Sequence, residues 1–276
     1  MFNSPADVSE RLAAVDYLSD DSIATSVFLA AALGKPLLAE GPAGVGKTQL
    51  AKAVAQASGA DLIRLQCYEG LDEARALYEW NYKKQLLRIQ ATSSDDDIFS
   101  EEFLLERPLL KAIRSAGPTV LLIDETDKAD VEVEGLLLEL LSDFQVTIPE
   151  LGTIEATLRP FVVLTSNATR ELSEALKRRC LYLHIEYPTP ERERDIVLAQ
   201  VPTLPVDLAE QLARTVATLR ELELKKAPSV AETVDWARTL LALGREELDG
   251  ETVSGTLGVV LKHASDQARA RKELGL

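Results

Sequence analysis

The stretch GPAGVGKT, residues 41–48, decides how the rest of the chain is interpreted. It matches the pattern G-x-x-x-x-G-K-[ST] in full, with Lys47 and Thr48 at its end. The short apolar run PLLAE precedes it. KTQLAKAVAQASGA, with apolar residues at helical spacing, follows it and predicts a helix that ends at Gly59. A strand, a glycine-rich turn and a helix N-terminus direct backbone N–H groups and a positive helix-dipole end at one place. The stretch therefore predicts a polyphosphate site, the alternative being a glycine-rich turn that happens to end in Lys-Thr.

Two side chains of this stretch have a predicted contact. The Lys47 ammonium would reach the β- and γ-phosphates of a nucleotide, and the Thr48 hydroxyl would ligate Mg²⁺. The residues predicted to bind the nucleotide are Gly41, Gly44, Val45, Gly46, Lys47, Thr48 and Gln49.

Two polar strand ends complete the predicted chemistry. The apolar run VLLIDE ends in Asp124, expected to hold Mg²⁺ through water, and Glu125, the candidate general base for an attacking water. Asn167 closes another apolar run, VVLTSN, where its amide could orient that water or contact the γ-phosphate. The alternative for Asn167 is a turn asparagine whose side chain is satisfied locally.

The wider pattern predicts an α/β fold. Apolar, β-branched runs alternate with helical patterns, as expected for a parallel sheet covered on both faces. The predicted strands lie in PLLAE, DLIRLQC, TVLLID and PFVVLTSN, at residues 36–40, 61–67, 119–124 and 160–167.

Two stretches interrupt this alternation and predict β-hairpin insertions. In LYEWNY the aromatic residues Tyr78, Trp80 and Tyr82 fall at period two, and QVTIPELGTIEATL (145–158) alternates around a turn. The aromatic face is interpreted as packed, or as a tip that contacts a substrate or partner. Because cations follow it, a stacking surface for single-stranded nucleic acid is the alternative.

The chain after EYPTPERERD is helical in pattern. Thr189 can cap a helix that begins with proline, and Ser229 and Glu232 are spaced as a capping box. We therefore predict an α/β core at residues 1–187 and a helical domain at 188–276.

Composition limits the function classes. The 276 residues carry a formal net charge of −15, which argues against a protein that binds a nucleic-acid backbone. No apolar run approaches the roughly 18 residues of a membrane span, and the start lacks a signal pattern, so a cytoplasmic protein is expected. Cys67 and Cys180 are the only cysteines and are interpreted as reduced thiols. The acidic SSDDD at 93–97 predicts a solvated loop.

Taken together, GPAGVGKT, LLIDE, LTSN, ALKRRC and the helical C-terminal part resemble an AAA+ ATPase. The segments CYEGLDEARALYEWNYKKQLLRIQ and FQVTIPELGTIEATL are similar to the MoxR family. Their sequences are most similar to its CoxD-type branch. That branch is associated with maturation of molybdenum-containing carbon monoxide dehydrogenase-like enzymes. The resemblance implies a P-loop AAA+ α/β fold of three layers with hairpin insertions, followed by a small all-α lid.

The resemblance also implies a ring, usually hexameric, in which an arginine of one subunit completes the ATP site of the next. The Asp-Arg-Phe segment of the family falls on Arg178, Arg179 and Cys180, so Arg179 is the candidate finger. Arg178 could act instead or hold the interface by a salt bridge, and the alternative for both is a solvated cation at a helix end. Tyr17 and Leu18 precede the first strand where the adenine ring lies in relatives.

The sequence departs from the family at the lid. Relatives usually carry an arginine at the start of the third lid helix, but here APSVAETVDW has none before Arg238. Direct sensing of the γ-phosphate by a lid arginine is therefore not expected, and Lys225 or Lys226 is the substitute that the sequence leaves open.

The resulting prediction is a Mg²⁺-dependent ATPase that couples ATP hydrolysis in a ring to remodelling or activation of an enzyme client. A von Willebrand factor A-domain protein is the implied partner, and neither nucleic acid nor a membrane span is expected. The alternatives are a chelatase-type subunit for metal insertion, a nucleic-acid-dependent motor, and a scaffold that binds ATP with little turnover.

Overall fold

Short apolar runs form the parallel sheet that the sequence predicts. The computed structural model describes residues 1–91 and 98–276, and the predicted solvated loop at 93–97 lies outside the described residues. The strands are β1 (Leu37–Glu40), β2 (Asp61–Gln66), β3 (Tyr78–Trp80), β4 (Leu104–Glu106), β5 (Thr119–Asp124), β6 (Gln145–Ile148), β7 (Gly152–Glu155), β8 (Phe161–Ser166) and β9 (Leu181–His184).

The main sheet has the strand order β2-β5-β8-β1-β9, and its neighbouring strands pair in parallel. Every residue of β5 and β8 is buried, which explains why their sequences are continuous apolar runs rather than alternating ones. The α/β fold class is confirmed. Because parallel strands end at one edge of the sheet, Asp124 and Asn167, at the ends of β5 and β8, emerge on the same side.

Helices connect the strands and make up the C-terminal part. They are α1 (Pro5–Ala13), α2 (Asp21–Leu33), α3 (Lys47–Ser58), α4 (Glu73–Ala76), α5 (Tyr82–Ala91), α6 (Pro108–Ile113), α7 (Val131–Asp143), α8 (Glu174–Arg179), α9 (Pro190–Gln200), α10 (Val206–Glu221), α11 (Val230–Ala242), α12 (Gly250–Thr256) and α13 (Ala264–Leu274). Within the described ranges, no helix has both the length and the apolarity to cross a membrane.

Local sequence signals set several helix ends. The predicted end of α3 is confirmed, because Gly59 follows it with φ 66°, a left-handed conformation that suits glycine. Thr189 caps α9 by accepting a hydrogen bond from the Arg192 backbone N–H. At α11 both bonds of the predicted capping box between Ser229 and Glu232 are present.

The chain divides into two compact units. The first contains Met1–Val15, Ser19–Glu40 and Thr48–His184, and the second contains Asp16–Leu18, Gly41–Lys47 and Ile185–Leu276. Each unit has a core of its own, and Trp236 is a fully buried side chain of the helical one. The phosphate-loop residues up to Lys47 thus group with the helices, whereas Thr48 groups with the sheet. The division at 1–187 and 188–276 stays a prediction.

The two predicted hairpins have different outcomes. The one at 145–158 is confirmed, because β6 and β7 pair antiparallel across a tight turn. The one at LYEWNY is wrong in part: β3 pairs with β4, much later in the chain, and Tyr82 begins α5. The physical reason lies at Asn81, whose side-chain Oδ1 accepts a hydrogen bond from the Lys84 N–H at 3.0 Å and so starts a helix. Trp80 is buried as predicted for a packed face, but Tyr82 is 62% exposed.

A buried ion pair leads to a stability prediction for the helical unit. Glu193 has no exposed surface and accepts hydrogen bonds from Arg220 and from the Thr233 hydroxyl. We expect Glu193→Ala to lower the free energy of unfolding by about 3–5 kcal/mol, because it leaves the Arg220 charge buried without its partner. The matched control is Glu210→Ala, which breaks an exposed pair with Arg214 and should cost less than about 0.5 kcal/mol. Urea denaturation followed by circular dichroism measures both, and equal losses would contradict the prediction.

Candidate functional site

The end of β5 and the start of α3 meet at a carboxylate. The Thr48 hydroxyl donates a hydrogen bond to Asp124 Oδ1 at 2.9 Å. The Thr165 hydroxyl donates to the same oxygen at 2.6 Å, and Arg64 pairs with Oδ2 at 2.5 Å. Asp124 is only 2% exposed, so this charge is held in one orientation by three neighbours. Hydroxyl and carboxylate oxygens are the hard ligands that Mg²⁺ prefers, so the residues fit the metal that the sequence predicts.

Glu125 has an unusual backbone conformation. Its φ of 56° and ψ of 48° are left-handed, a state that costs a non-glycine residue about 1–2 kcal/mol. The Glu125 N–H donates to the Thr165 hydroxyl at 2.9 Å, which holds this turn against β8. The carboxylate is partly exposed and pairs with Lys128 at 2.6 Å. Backbone strain stored at a partly exposed carboxylate is a common property of catalytic positions.

A network on Asp127 holds the turn that begins at Asn167. Asp127 Oδ2 accepts from the backbone N–H of Thr169 at 3.0 Å and from its hydroxyl at 2.5 Å. Burial raises the pKa of Asp127, but the hydrogen bonds from Thr169 and Asn167 outweigh it and hold the pKa below its usual value. Asp127 is therefore an ionised acceptor that fixes the loop after β8. Its other oxygen, Oδ1, is buried with no hydrogen-bond partner among the described residues.

The sequence did not predict three residues that form the hydrogen bonds and ion pair around Asp124 and Asn167: Arg64, Thr165 and Asp127. Arg64 interrupts an apolar strand, and β2 pairs in register with β5 so that Gln66 lies opposite Asp124. A cation two residues earlier on the same face of β2 can reach that carboxylate. The sequence pattern contains neither the strand order of the sheet nor this register.

The phosphate loop, within the helical unit, has the strained and close-packed glycines that the pattern requires. Gly44 has φ 80°, and a Cβ there would lie 2.1 Å from the Ser229 Cβ. At Gly41 a Cβ would lie 1.9 Å from the backbone oxygen of Ile185. Any side chain at either position would therefore displace the loop.

Lys47 is buried within this loop, at 6% exposure. Its ammonium donates to the backbone oxygens of Gly41 and Pro42, both at 2.7 Å. Those carbonyls hold the charge inside the loop, where an entering phosphate would meet it.

The other predicted nucleotide contacts occupy different environments. Tyr17 is buried, and its Cε2 and hydroxyl oxygen both lie 3.9 Å from the place of a Cβ on Gly46. The Leu18 backbone oxygen accepts from Arg192 at 3.0 Å. Val45 is buried and Gln49 is exposed. The roles of these residues in nucleotide binding stay predictions.

The predicted finger lies at the end of α8. The Arg179 guanidinium donates to the Ser142 hydroxyl at 2.6 Å and to the Ala175 backbone oxygen at 2.9 Å. Both partners are neutral, whereas Lys177 pairs with Glu171. Arg178 is exposed. Within the described chain, no contact joins these arginines to Asp124 or Glu125, and their roles stay predictions.

The lid lysines named as substitutes have other partners. Lys226 pairs with Glu232 of the capping box at 3.2 Å, and the backbone N–H groups of Lys225 and Lys226 donate to Asp266. Both lysines are exposed. A phosphate-sensing role for either would require Lys226 to leave Glu232, or Lys225 to act from an exposed position.

The two cysteines are free and protonated. Burial, reinforced by the charges of Asp124, Asp127 and Glu125, raises the pKa of Cys67 to about 12. Burial likewise raises the pKa of Cys180 to about 12, although Arg179 opposes it. Neither thiol is therefore a nucleophile at neutral pH.

Comparison with known proteins places this geometry in context. A family model described as the ATPase family associated with various cellular activities matches residues 37–188, more than half of the chain. An uncharacterized protein of Staphylococcus haemolyticus is 25% identical over 232 residues, covering 82% of each chain. An uncharacterized protein of Staphylococcus aureus is 25% identical over 218 residues, covering 76% of this chain and 77% of the relative.

Solved structures share the fold at low identity. One variant of RuvB from Thermotoga maritima aligns with a TM-score of 0.51 and 19% identity, covering 94% of this chain and 70% of the other. A second variant of the same protein gives a TM-score of 0.50 at 19% identity, covering 94% and 71%. At this identity the likeness shows the fold alone.

Proposed function

The chain belongs to the ATPase family associated with various cellular activities, the AAA family, and from this we propose that it hydrolyses ATP in a Mg²⁺-dependent reaction. The observation that carries the proposal is the 2.9 Å hydrogen bond from Thr48 to Asp124. Two motifs that lie 76 residues apart in the sequence meet there at the oxygen atoms that a nucleotide-bound Mg²⁺ requires.

The site residues divide the proposed reaction among them. Phosphoryl transfer depends on positioning and charge neutralisation, so Lys47 offsets charge on the phosphates. Thr48 and Asp124 hold Mg²⁺, which neutralises charge on the phosphate oxygens when bound. Glu125 takes the proton of the attacking water, and Asn167, fixed through the Asp127 network, orients that water or contacts the γ-phosphate.

We further propose that the active form is a ring, with six subunits as the family resemblance implies. Arg179 of one subunit would stabilise the charge on the γ-phosphate held by its neighbour. The neutral partners of Arg179 support this role, because among the described residues it contacts a hydroxyl and a backbone oxygen and pairs with no carboxylate. Arg178 is the second candidate at the same helix end.

The biological role proposed is a MoxR-type remodeller, closest to the CoxD branch, that matures or activates a metalloenzyme in the cytoplasm. Its support is the resemblance of the two insertion segments, one of which forms the β6–β7 hairpin. Such a protein would work with a von Willebrand factor A-domain partner. ATP turnover stimulated by a chelatase-type partner, or by DNA in a salt-dependent way, would instead favour one of the rival functions.

The test of the ATPase proposal is phosphate release by the purified protein with Mg²⁺ and with EDTA. We expect turnover only with Mg²⁺, and a loss of about 10²–10³-fold in Lys47→Ala, because a buried cation at the phosphates is removed. The matched control is Lys52→Ala, an exposed lysine on the same helix, which should keep wild-type turnover. Turnover that persists in EDTA, or in Lys47→Ala, would refute the proposal.

A further inference from the structure

Two consecutive peptide groups of the phosphate loop are held from outside by the helical part of the same unit. The backbone N–H of Val230, the first residue of α11, donates to the Gly44 carbonyl at 3.0 Å. The Tyr187 hydroxyl donates to the Ala43 carbonyl at 3.3 Å. Both contacts lie within the unit that contains Gly41–Lys47 and Ile185–Leu276.

The direction of these carbonyls fixes the direction of the next N–H groups. A trans peptide group is planar, and its C=O and N–H point to opposite sides. When Tyr187 holds the Ala43 carbonyl, the Gly44 N–H is turned the other way. When Val230 holds the Gly44 carbonyl, the Val45 N–H is turned away as well.

Successive backbone N–H groups that point to one side form a concave surface that binds anions. The left-handed φ of 80° at Gly44 and 100° at Gly46 fits such a surface, because alternating hands bring successive N–H groups together. One side chain, Tyr187, and the first N–H of α11, both outside the loop, thus hold the peptide groups on either side of Gly44.

We propose that Tyr187 and the Val230 N–H are positioning groups that preorganise the phosphate-loop N–H donors of Gly44 and Val45. The inference rests on the proposed nucleotide-binding function and extends it to two residues outside the phosphate-loop pattern. It also gives the helical unit a direct link to phosphate affinity that requires no arginine.

The surroundings of Tyr187 suit this role. The Arg220 guanidinium lies 4.3 Å from the centre of the Tyr187 ring, and Arg220 in turn donates to Glu193 and to the Pro228 backbone oxygen. Burial raises the pKa of Tyr187, so its phenol remains a donor at neutral pH. The ring is therefore held independently of its hydroxyl, and the hydroxyl alone can be removed.

Tyr187→Phe is the clean test. The phenyl ring keeps its place against Arg220 and loses only the bond to Ala43. We expect the dissociation constant for ADP, measured by isothermal titration calorimetry, to rise about three- to tenfold, the effect of one hydrogen bond. In ATP turnover, KM should rise by a similar factor while kcat stays within about twofold, because ground state and transition state lose the same contact.

Val230→Pro tests the second contact. Proline is favoured at the first position of a helix, and Ser229 before it has φ −83° and ψ 161°, which suits a residue that precedes proline. The substitution removes the N–H and places the proline ring where the Gly44 carbonyl oxygen is bound. We expect ADP to bind more than tenfold more weakly, with the helical circular-dichroism signal of the free protein unchanged because α11 is retained. Val230→Ala keeps the N–H and should bind ADP within about twofold of wild type.

The outcomes separate this inference from the function on which it rests. If the wild-type protein binds no ADP, the proposed function fails. If wild type binds ADP and both Tyr187→Phe and Val230→Pro bind it equally well, only the positioning inference is overturned. A fall in affinity that is matched by Val230→Ala, or a KM that stays constant while kcat falls, would also overturn it.

Discussion

Glu125→Gln is expected to lower ATP turnover by about two to four orders of magnitude, the usual contribution of a positioned general base. Glutamine has nearly the same shape but cannot accept the proton of the attacking water. Lys47, Thr48 and Asp124 are unchanged by the substitution, so ATP binding should remain within about threefold of wild type. Phosphate release and calorimetric ATP binding measure the two quantities separately.

The structure explains why a neighbouring acid should not replace Glu125. Its left-handed backbone and the hydrogen bond from its N–H to the Thr165 hydroxyl fix the conformation of the turn after β5. Asp124 is buried, accepts hydrogen bonds from the Thr48 and Thr165 hydroxyls and pairs with Arg64. Asp127 accepts a hydrogen bond from the Thr169 hydroxyl. Glu125 is the partly exposed member of the three acids, and its partner Lys128 lies on the exposed side.

The control for this prediction is Glu132→Gln, an exposed acid in the first turn of α7 that should leave turnover at the wild-type level. Turnover of Glu125→Gln within about tenfold of wild type would contradict the assignment of the base. Loss of turnover together with loss of ATP binding would point to a disturbed fold, and the melting temperature would show it.

The parts of the fold that the sequence predicted well are those with strong local signals. β5 and β8 are buried on both faces, so their apolar runs give both type and boundaries. The capping box at Ser229 and the left-handed Gly59 mark helix ends through backbone chemistry that needs no tertiary context. At the site, the phosphate loop and the acids at the end of β5 are each contiguous in sequence, so the sequence could name them, and their roles stay predictions.

The parts that were missed depend on contacts between distant segments. The period-two aromatics of LYEWNY suggested a local hairpin, but the partner of β3 is β4, and Asn81 starts a helix instead. Arg64 reaches Asp124 only because β2 lies beside β5 in a particular register. The contact of Val230 with Gly44 joins the phosphate loop to a helix that begins far along the chain. Periodicity cannot supply such information, since it describes one element at a time.

Arg179→Ala is expected to reduce ATP turnover by about 10³-fold or more, the range in which a finger arginine contributes to phosphoryl transfer. The guanidinium is held by a hydroxyl and a backbone carbonyl, so its charge would be available to a neighbouring subunit in the proposed ring. Lys177→Ala is the matched control on the same helix, because Lys177 pairs with Glu171 and should leave turnover unchanged. Phosphate release by each purified variant gives the comparison.

Mixing variants decides whether Arg179 acts on its own subunit or on the next one. Arg179→Ala keeps the base Glu125, and Glu125→Gln keeps the arginine, so each alone should be nearly inactive. In a mixed ring with equal amounts, about a quarter of the interfaces pair an intact base with an intact arginine from the neighbour, and turnover should recover accordingly. If Arg179→Ala alone keeps wild-type turnover, or if mixed oligomers form without recovery, Arg179 is not a finger supplied between subunits. Repeating the mixture with Arg178→Ala in place of Arg179→Ala shows which of the two arginines completes the site, because only the finger variant is rescued by mixing.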